Sequence, residues 1–176
     1  MSYYQAIATI ATKYFGVSKA FKYGFNWSPM YRRSNARIIA VSKDLMKIEI
    51  RLPLTYKNVN YMNSMFGGSM FAAVDPIPMI QLVSILGKEY VVWDKSAEIY
   101  FKRPAKENLF ATFEFSNEEV EEIKSRVKSE KEISISKSTI LTNKIGDTVY
   151  CEVKKTIYIA DKMFYKQKNA QRREKI

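Results

Sequence analysis

The segment 58–87 holds the residues whose types and spacing could do chemistry. It is apolar, almost uncharged and of helical length, with the pair Gly67-Gly68 near its beginning and one carboxylate, Asp75, in its middle. A carboxylate in an apolar wall can act as a general base or as a nucleophile. Because the chain contains no histidine, any such chemistry must depend on carboxylates, hydroxyls, lysine or backbone amides.

The segments around this candidate site predict an antiparallel sheet. Alternating apolar and polar residues predict strands over 37–41, 46–52, 90–103, 109–115, 133–142 and 148–160, with a hairpin loop at 143–146. An amphipathic pattern predicts a helix over 3–23, broken near Asn26, and 117–130 reads as a charged helix with Asn117 as its N-cap. Consecutive strands joined by short turns favour antiparallel pairing, and an apolar helix over 66–86 needs a sheet around it to bury its faces.

Length and composition indicate one domain with two extensions. The 176 residues, 47% of them apolar, are enough for a substantial core. We predict an N-terminal helical extension at 1–28, a main domain at 29–161 and a basic tail at 162–176. The tail is either a solvated, frayed end or a binding arm.

Composition also narrows the location and the partners. A single cysteine, Cys151, cannot form an internal disulfide, and with no histidine a structural zinc site is disfavoured. The apolar segment is interrupted by Asp75, Pro76 and Pro78, so we expect no membrane span, and we find no secretory signal. These features fit a reducing cytoplasm. The net charge of +11 implies attraction to a polyanion.

Three elements of the segment resemble a known family. Asn60 is followed six residues later by Phe66-Gly67-Gly68, and Asp75 lies nine residues after Phe66. The hotdog-fold thioesterases of the phenylacetyl-CoA type have Asn, His-Gly-Gly and an acid at the same spacing, and the turn at 100–104 resembles their next turn. Over residues 30–160 the resemblance implies an α+β hotdog fold, a curved antiparallel sheet wrapped around a long central helix, here with an extra N-terminal helix.

The resemblance also implies roles for these residues. Asp75 would be the general base or nucleophile, the amide of Gly68 the oxyanion donor, and Asn60 would position water or the carbonyl. Phe66 and Gly67 would contact the substrate, an acyl-CoA or acyl carrier protein, with coenzyme A as part of the substrate and no other cofactor. The site would lie between the subunits of a homodimer, or of a homotetramer, with Asp75 facing the glycine pair and Asn60 of the partner.

Two departures leave alternatives open. The family's histidine is Phe66, which removes a polar group from the acyl pocket. Asp75 precedes Pro76 and Pro78, and Asp followed by Pro is typical of a helix N-terminus. Asp75 is therefore either a catalytic carboxylate or a cap on the second half of a broken helix.

The next strand contributes two further candidates, Asp94 and Lys95. Counted back from Pro104, Asp94 matches the position where some thioesterases place a water-orienting hydroxyl. Lys95 falls on the apolar face of its strand, and a buried lysine needs an acidic partner, Asp75 or Glu98. Lys95 is then either half of a structural ion pair or a substrate contact.

Three functions remain to be distinguished. The first is thioester hydrolysis, and the alternative is a non-catalytic acyl-CoA or lipid-binding hotdog protein with Asp75 as a cap. Nucleic-acid binding through the excess charge is a third class. It lacks a basic–aromatic signature of the single-strand or recognition-motif kind, so we predict no nucleic-acid partner.

Overall fold

The computed structural model describes Thr12, Tyr14 and residues 16–173. Its elements in chain order are α1 Val17–Trp27, α2 Pro29–Arg32, β1 Arg37–Val41, β2 Lys47–Leu52, α3 Gly67–Val74, α4 Pro76–Leu86, β3 Tyr90–Phe101, β4 Leu109–Glu114, α5 Asn117–Glu130, β5 Glu132–Thr142, β6 Val149–Asp161 and α6 Lys162–Arg173. All six predicted strands are present, with ends within two residues of the predicted ones.

The strands form one open antiparallel sheet in the order β1-β2-β4-β5-β6-β3. β3 and β1 lie at its two edges, and the α3–α4 segment packs against it to form the core. β4 and β5 are paired only at Phe110 and Thr142 and diverge beyond that point. The predicted α+β hotdog architecture, with one long central helix and an N-terminal helix, is confirmed.

The central helix is interrupted at one residue. α3 ends at Val74 and α4 begins at Pro76, while Asp75 between them keeps helical φ and ψ angles of −45° and −55°. Proline lacks an N–H and disfavours this conformation in the preceding residue. Asp75 therefore marks a local break in an otherwise continuous apolar helix. The combined helix Gly67–Leu86 could cross a membrane by length and composition alone, but 56% of its most apolar window is buried within the protein.

The N-terminal helix differs from its prediction at the end. It continues to Trp27 instead of stopping near Asn26, and the Asn26 side chain bonds both backbone groups of Ile38 at 2.8 and 2.9 Å. Phe21 and Phe25 bury the inner face of α1. Of the predicted helix 3–23, residues before 16, apart from Thr12 and Tyr14, lie outside the described residues.

The charged helix α5 begins one residue earlier than the sequence suggests. Ser116, not Asn117, is the N-cap, because the Ser116 hydroxyl accepts from the Glu119 amide at 3.1 Å while the Glu119 carboxylate accepts from the Ser116 amide at 2.9 Å. This reciprocal pair is a capping box. The sequence contained its signal, Ser-x-x-Glu.

We expect Ser116→Ala to lower the free energy of unfolding by about 1 kcal/mol, because an orphan amide of α5 loses its acceptor. Urea unfolding measures the change. Ser129→Ala, near the end of the same helix, is the control. Equal stability of the two variants would contradict a role for the Ser116 cap.

The basic tail is helical through Arg173 and is not frayed over that range. The Asp161 carboxylate accepts from the Phe164 amide at 2.8 Å, which satisfies one N–H of the first turn. Lys168 donates to both oxygens of Glu132 at 2.5 and 2.6 Å, and this contact attaches α6 to the start of β5.

Candidate active site

A buried lysine lies at the centre of the candidate site. Lys155 is 1% exposed, and its Nζ donates to Oδ1 of Asp75 at 2.9 Å and to Oδ2 of Asp94 at 2.6 Å. The same ammonium donates to the backbone carbonyl of Asp75. Asp75 and Asp94 stay 43% and 27% exposed. Solvent thus reaches both carboxylates, but it does not reach the ammonium group that binds them.

Strand geometry places Lys155 there. Side chains on a strand alternate between faces, and Lys155 shares the inward face of β6 with Val153 and Ile157, which are fully buried. The residue opposite Lys155 on β3 is the small Ala97. The inward position therefore has room for a long side chain that reaches the break in the central helix.

A β-bulge in β3 overturns the prediction for Lys95. The register shifts between Asp94 and Ser96, so Lys95 has no partner on β6 and its side chain is exposed. Before the bulge Val92 is buried and Trp93 is exposed, the reverse of the predicted faces. An extra residue reverses the alternation of a strand. The extra residue in β3 places Asp94 on the inward face of the sheet, opposite Ile157 of β6. The buried lysine beside Asp94 is Lys155 of β6 and not Lys95.

The Asp75 carboxylate is not a helix cap. Asp75 precedes α4, but its side chain accepts no hydrogen bond from the first amides of that helix. Its Oδ1 is bound by Lys155, and its second oxygen accepts no hydrogen bond within the described part of the chain. The predicted capping role is therefore wrong, and one carboxylate oxygen remains available.

Burial raises the pKa of the Asp94 carboxyl, and the hydrogen bond from Lys155 partly offsets this effect. Removing a carboxylate from water disfavours its charged form, whereas a cation within hydrogen-bond distance favours it. The folded protein therefore keeps a proton on Asp94 to a higher pH than the unfolded chain does.

This shift gives a pH prediction. The proton on Asp94 contributes to the free energy of unfolding. This contribution is fully present below the ordinary aspartate pKa of about 4, and it is lost as the pH rises through the pKa that Asp94 has in the folded protein. Asp94→Asn removes this titration. We expect the free energy of unfolding of the wild type to fall, relative to that of the variant, as the pH rises through this window. Urea titrations at several pH values measure it, and parallel curves would contradict the shift.

The glycine pair at the start of α3 has the predicted free amides. The N–H groups of Gly67 and Gly68 have no acceptor among the described residues, since the first bonds back to Phe66 come from Ser69 and Met70. Helix N-termini present such groups with the positive end of the helix dipole. They can therefore bind a carbonyl oxygen or a developing oxyanion.

Two aromatic rings cover these glycines. A Cβ on Gly67 would lie 2.6 Å from the ring of Phe101, and a Cβ on Gly68 would overlap the ring of Phe66. Both rings are 57% exposed. The glycines therefore allow close approach, as predicted, but in this conformation the approaching groups are the protein's own phenylalanines.

The loop before α3 is held by two asparagines. Oδ1 of Asn60 accepts from the amides of Met62 and Ser64 at 2.9 and 3.1 Å, so this atom is used to build a turn. Asn58 is buried, and its backbone carbonyl accepts from the Phe66 backbone amide at 2.7 Å. This hydrogen bond orients the beginning of the helix. In the described chain the Asn60 Nδ2 has no acceptor and is the group left to contact a substrate.

The predicted site residues thus fall into two groups on each chain. Asp75 and Asp94 meet at Lys155, whereas Asn60, Phe66, Gly67 and Gly68 lie together at the start of α3. Seven residues of helix separate Gly68 from Asp75, a rise of about 10 Å. One thioester carbonyl cannot contact both the Gly68 amide and the Asp75 carboxylate of a single chain.

Lys155 was not among the predicted site residues. Its signal was present, since Cys151, Val153, Ile157 and Ile159 alternate around it on one phase of β6. Alternation along β3 places Lys95 on an apolar face in the same way and predicts Lys95 as the buried lysine. No group of three potential metal ligands occurs among the described residues.

The fold defines this molecule as a hotdog-fold protein. The chain belongs to the family described as a domain of unknown function, DUF4442, whose model matches residues 18–159. No protein with a curated description matches the chain.

Solved structures share the fold at low sequence identity. PA5026 from Pseudomonas aeruginosa, a protein of unknown function named a probable thioesterase, is 18% identical with a TM-score of 0.71, over 81% of this chain and 95% of that chain. OLEI01261 from Chlorobaculum tepidum, of unknown function, is 17% identical with a TM-score of 0.66, over 83% and 95%. Thioesterase HI1161 from Haemophilus influenzae is 12% identical with a TM-score of 0.59, over 81% and 90%.

Proposed function

We propose that this protein hydrolyses an acyl thioester, with Asp75 as the catalytic carboxylate. The observation that carries the proposal is the state of Asp75: a carboxylate on the central helix, fixed by a buried ammonium and still open to solvent on one oxygen. A general base must be held in place and must reach water. The thioesterase names of similar folds agree with this function.

The proposed reaction needs only groups of the protein and water. The Asp75 carboxylate takes a proton from water, and the water oxygen attacks the thioester carbonyl carbon. The Gly68 amide stabilises the oxyanion. The C–S bond then breaks, the Asp75 carboxyl returns its proton to the leaving sulfur, and the products are a carboxylic acid and a thiol. Removing one oxyanion donor raises a barrier by about 3 kcal/mol.

The active site would be formed between two copies of the chain. Because a rise of about 10 Å separates Gly68 from Asp75 along one helix, we propose that the oxyanion donor comes from another chain, which agrees with the subunit arrangement implied by the resemblance. β3 is a long edge strand with exposed Trp93, Tyr100 and Phe101. Long apolar edge strands favour pairing with a second strand. A homodimer joined along β3, alone or within a tetramer, is the proposed assembly.

The charge of the chain suits an anionic acyl carrier. A net charge of +11 attracts both the phosphates of coenzyme A and the acidic surface of an acyl carrier protein. We propose acyl-CoA or acyl carrier protein as the substrate, in the cytoplasm, with no further cofactor.

A subunit-mixing experiment tests the composite site. Asp75→Asn removes the base, and Gly68→Pro removes the oxyanion N–H in the first turn of α3, where proline is tolerated once the exposed ring of Phe66 moves aside. Each variant alone is expected to be inactive towards a medium-chain acyl-CoA. Subunits unfolded and refolded together should recover about a quarter of wild-type thiol release, since half of the dimers are mixed and each has one intact site.

The control refolds each variant alone, and both must stay inactive. Mixed subunits that exchange, as shown by differently tagged chains that co-purify, yet release no thiol would reject a site shared between chains.

A binding-only function is the second candidate, and one observation favours it. Phe66 replaces the family histidine, and its ring covers Gly68. Such a protein would bind acyl-CoA saturably without releasing thiol. A thiol-release assay over a panel of acyl chain lengths, run beside equilibrium binding of the same compounds, separates the two functions.

A further inference from the structure

The outer surface of the N-terminal extension has an unusual charge pattern. The first 43 residues contain seven Lys or Arg and no Asp or Glu, and Asp44 is the first acid. Five of these basic residues are exposed in the described structure: Lys19, Arg32, Arg33, Arg37 and Lys43. No acidic side chain within this segment can neutralise them, so the surface is cationic.

Large apolar side chains lie between these basic residues along the chain. Tyr23, Trp27 and Met30 are exposed, Trp27 by 75%, and the rings of Tyr23 and Trp27 lie 5.8 Å apart. Residues four apart share one face of a helix, so Lys19, Tyr23 and Trp27 form a stripe along α1. We call the stripe, with Met30 of α2, the N-terminal face.

The N-terminal face is rigidly supported from behind. Phe21 and Phe25, on the opposite side of α1, stack at 4.7 Å and are buried in the core. Nδ2 and Oδ1 of Asn26 bind the backbone of β1. The aromatic stripe is therefore not required to hold α1 in place, and its exposed rings are positioned outward by a helix that is already anchored.

We propose that the N-terminal face docks on the surface of an anionic phospholipid bilayer. Trp and Tyr concentrate at the headgroup level of membranes, where an apolar ring with a polar N–H or O–H is favoured. Basic residues beside them are attracted to anionic lipid. A single-stranded nucleic acid also binds aromatic and basic groups, but an exposed thioether such as Met30 favours the lipid. The proposal is independent of hydrolysis.

Vesicle flotation of the full chain tests it. We expect binding to vesicles of phosphatidylcholine with about one third phosphatidylglycerol, at least tenfold stronger than to phosphatidylcholine alone, and weakened by salt. Trp27→Ala should lower the partition coefficient at least about tenfold, and Lys19→Gln about fivefold. The matched controls Ile145→Ala and Lys144→Gln, at exposed positions of the β5–β6 hairpin, should bind like the wild type.

A second readout locates the contact. The chain has two tryptophans, so in a Trp93→Phe variant the fluorescence reports Trp27 alone, and it should shift to shorter wavelength when anionic vesicles are added. Equal binding by Trp27→Ala and the wild type would overturn the proposal. So would wild-type binding to a single-stranded oligonucleotide, or a Trp27-dependent self-association, without binding to vesicles.

Discussion

Replacing Asp75 with asparagine is expected to lower the turnover of a medium-chain acyl-CoA by about 10² to 10⁴-fold while leaving the protein folded. The loss is the usual contribution of a positioned general base. Folding should persist because the asparagine side-chain oxygen can still accept the hydrogen bond that Lys155 donates to Oδ1 at 2.9 Å. Steady-state thiol release and thermal unfolding measure the two effects.

The matched control for this variant is Asp147→Asn, an exposed carboxylate in the β5–β6 hairpin. It removes the same charge outside the candidate site and should turn over substrate like the wild type. Equal turnover by Asp75→Asn and the wild type would reject Asp75 as the catalyst. No thiol release by the wild type, with saturable binding of the same acyl-CoA, would instead leave a binding-only hotdog protein as the function.

Replacing Lys155 with methionine is expected to be the most destabilising single change at the site. The ammonium is buried and neutralises two carboxylates. Breaking a buried pair by removing one partner costs about 3–5 kcal/mol. Because both carboxylates are partly exposed, water and counter-ions compensate some of this, and we expect a loss of about 2–4 kcal/mol in the free energy of unfolding.

The adjacent lysine provides a close control. Lys154 points to the other face of β6 and is exposed, so Lys154→Met should change stability by less than about 0.5 kcal/mol. The triple variant Lys155→Met, Asp75→Asn, Asp94→Asn should recover much of the lost stability, because no unpaired charge remains. Equal urea midpoints for the Lys155 and Lys154 variants would show that the buried ammonium does not stabilise the fold.

The site also explains why a conservative exchange at Lys155 would not be neutral. Arginine carries the same charge, but its planar guanidinium is larger and presents fixed donor directions. At position 155 the cation must reach two carboxylates and the Asp75 carbonyl from an inward strand position opposite Ala97. A compact ammonium with three rotatable donors suits this geometry.

Much of the fold follows from local patterns. Residues 46–52 alternate strictly, 148–160 alternate apart from Lys155, and 66–86 is apolar on all sides, so strand and buried-helix assignments need no knowledge of distant contacts. The spacing between Asn60, Phe66 and Asp75 was sufficient for the resemblance to the hotdog thioesterases. The capping residue Ser116 was missed although its signal was local.

The difference at Lys95 and the open role of Asp75 have one cause. Strict alternation along the whole of β3 predicts an inward Lys95, whereas a single bulge reverses the phase of residues 92–94. Whether a bulge forms depends on the register with β6, a strand more than 50 residues away in the chain. From the sequence, Asp75 is either a catalytic carboxylate or a helix cap. The side chain that decides between these roles is Lys155, which lies 80 residues later in the chain.

By itself, the sequence determined which residues are apolar, where each strand lies to within two residues, and that Gly67, Gly68 and Asp75 lie in one apolar segment of helical length. These properties depend on neighbours within a few positions. Only the tertiary structure decided which cation holds Asp75, that Asp94 turns inward, and that Phe66 and Phe101 cover the glycines. Those contacts join β3, β6 and α3, and their register is set by the packing of the whole sheet against the central helix.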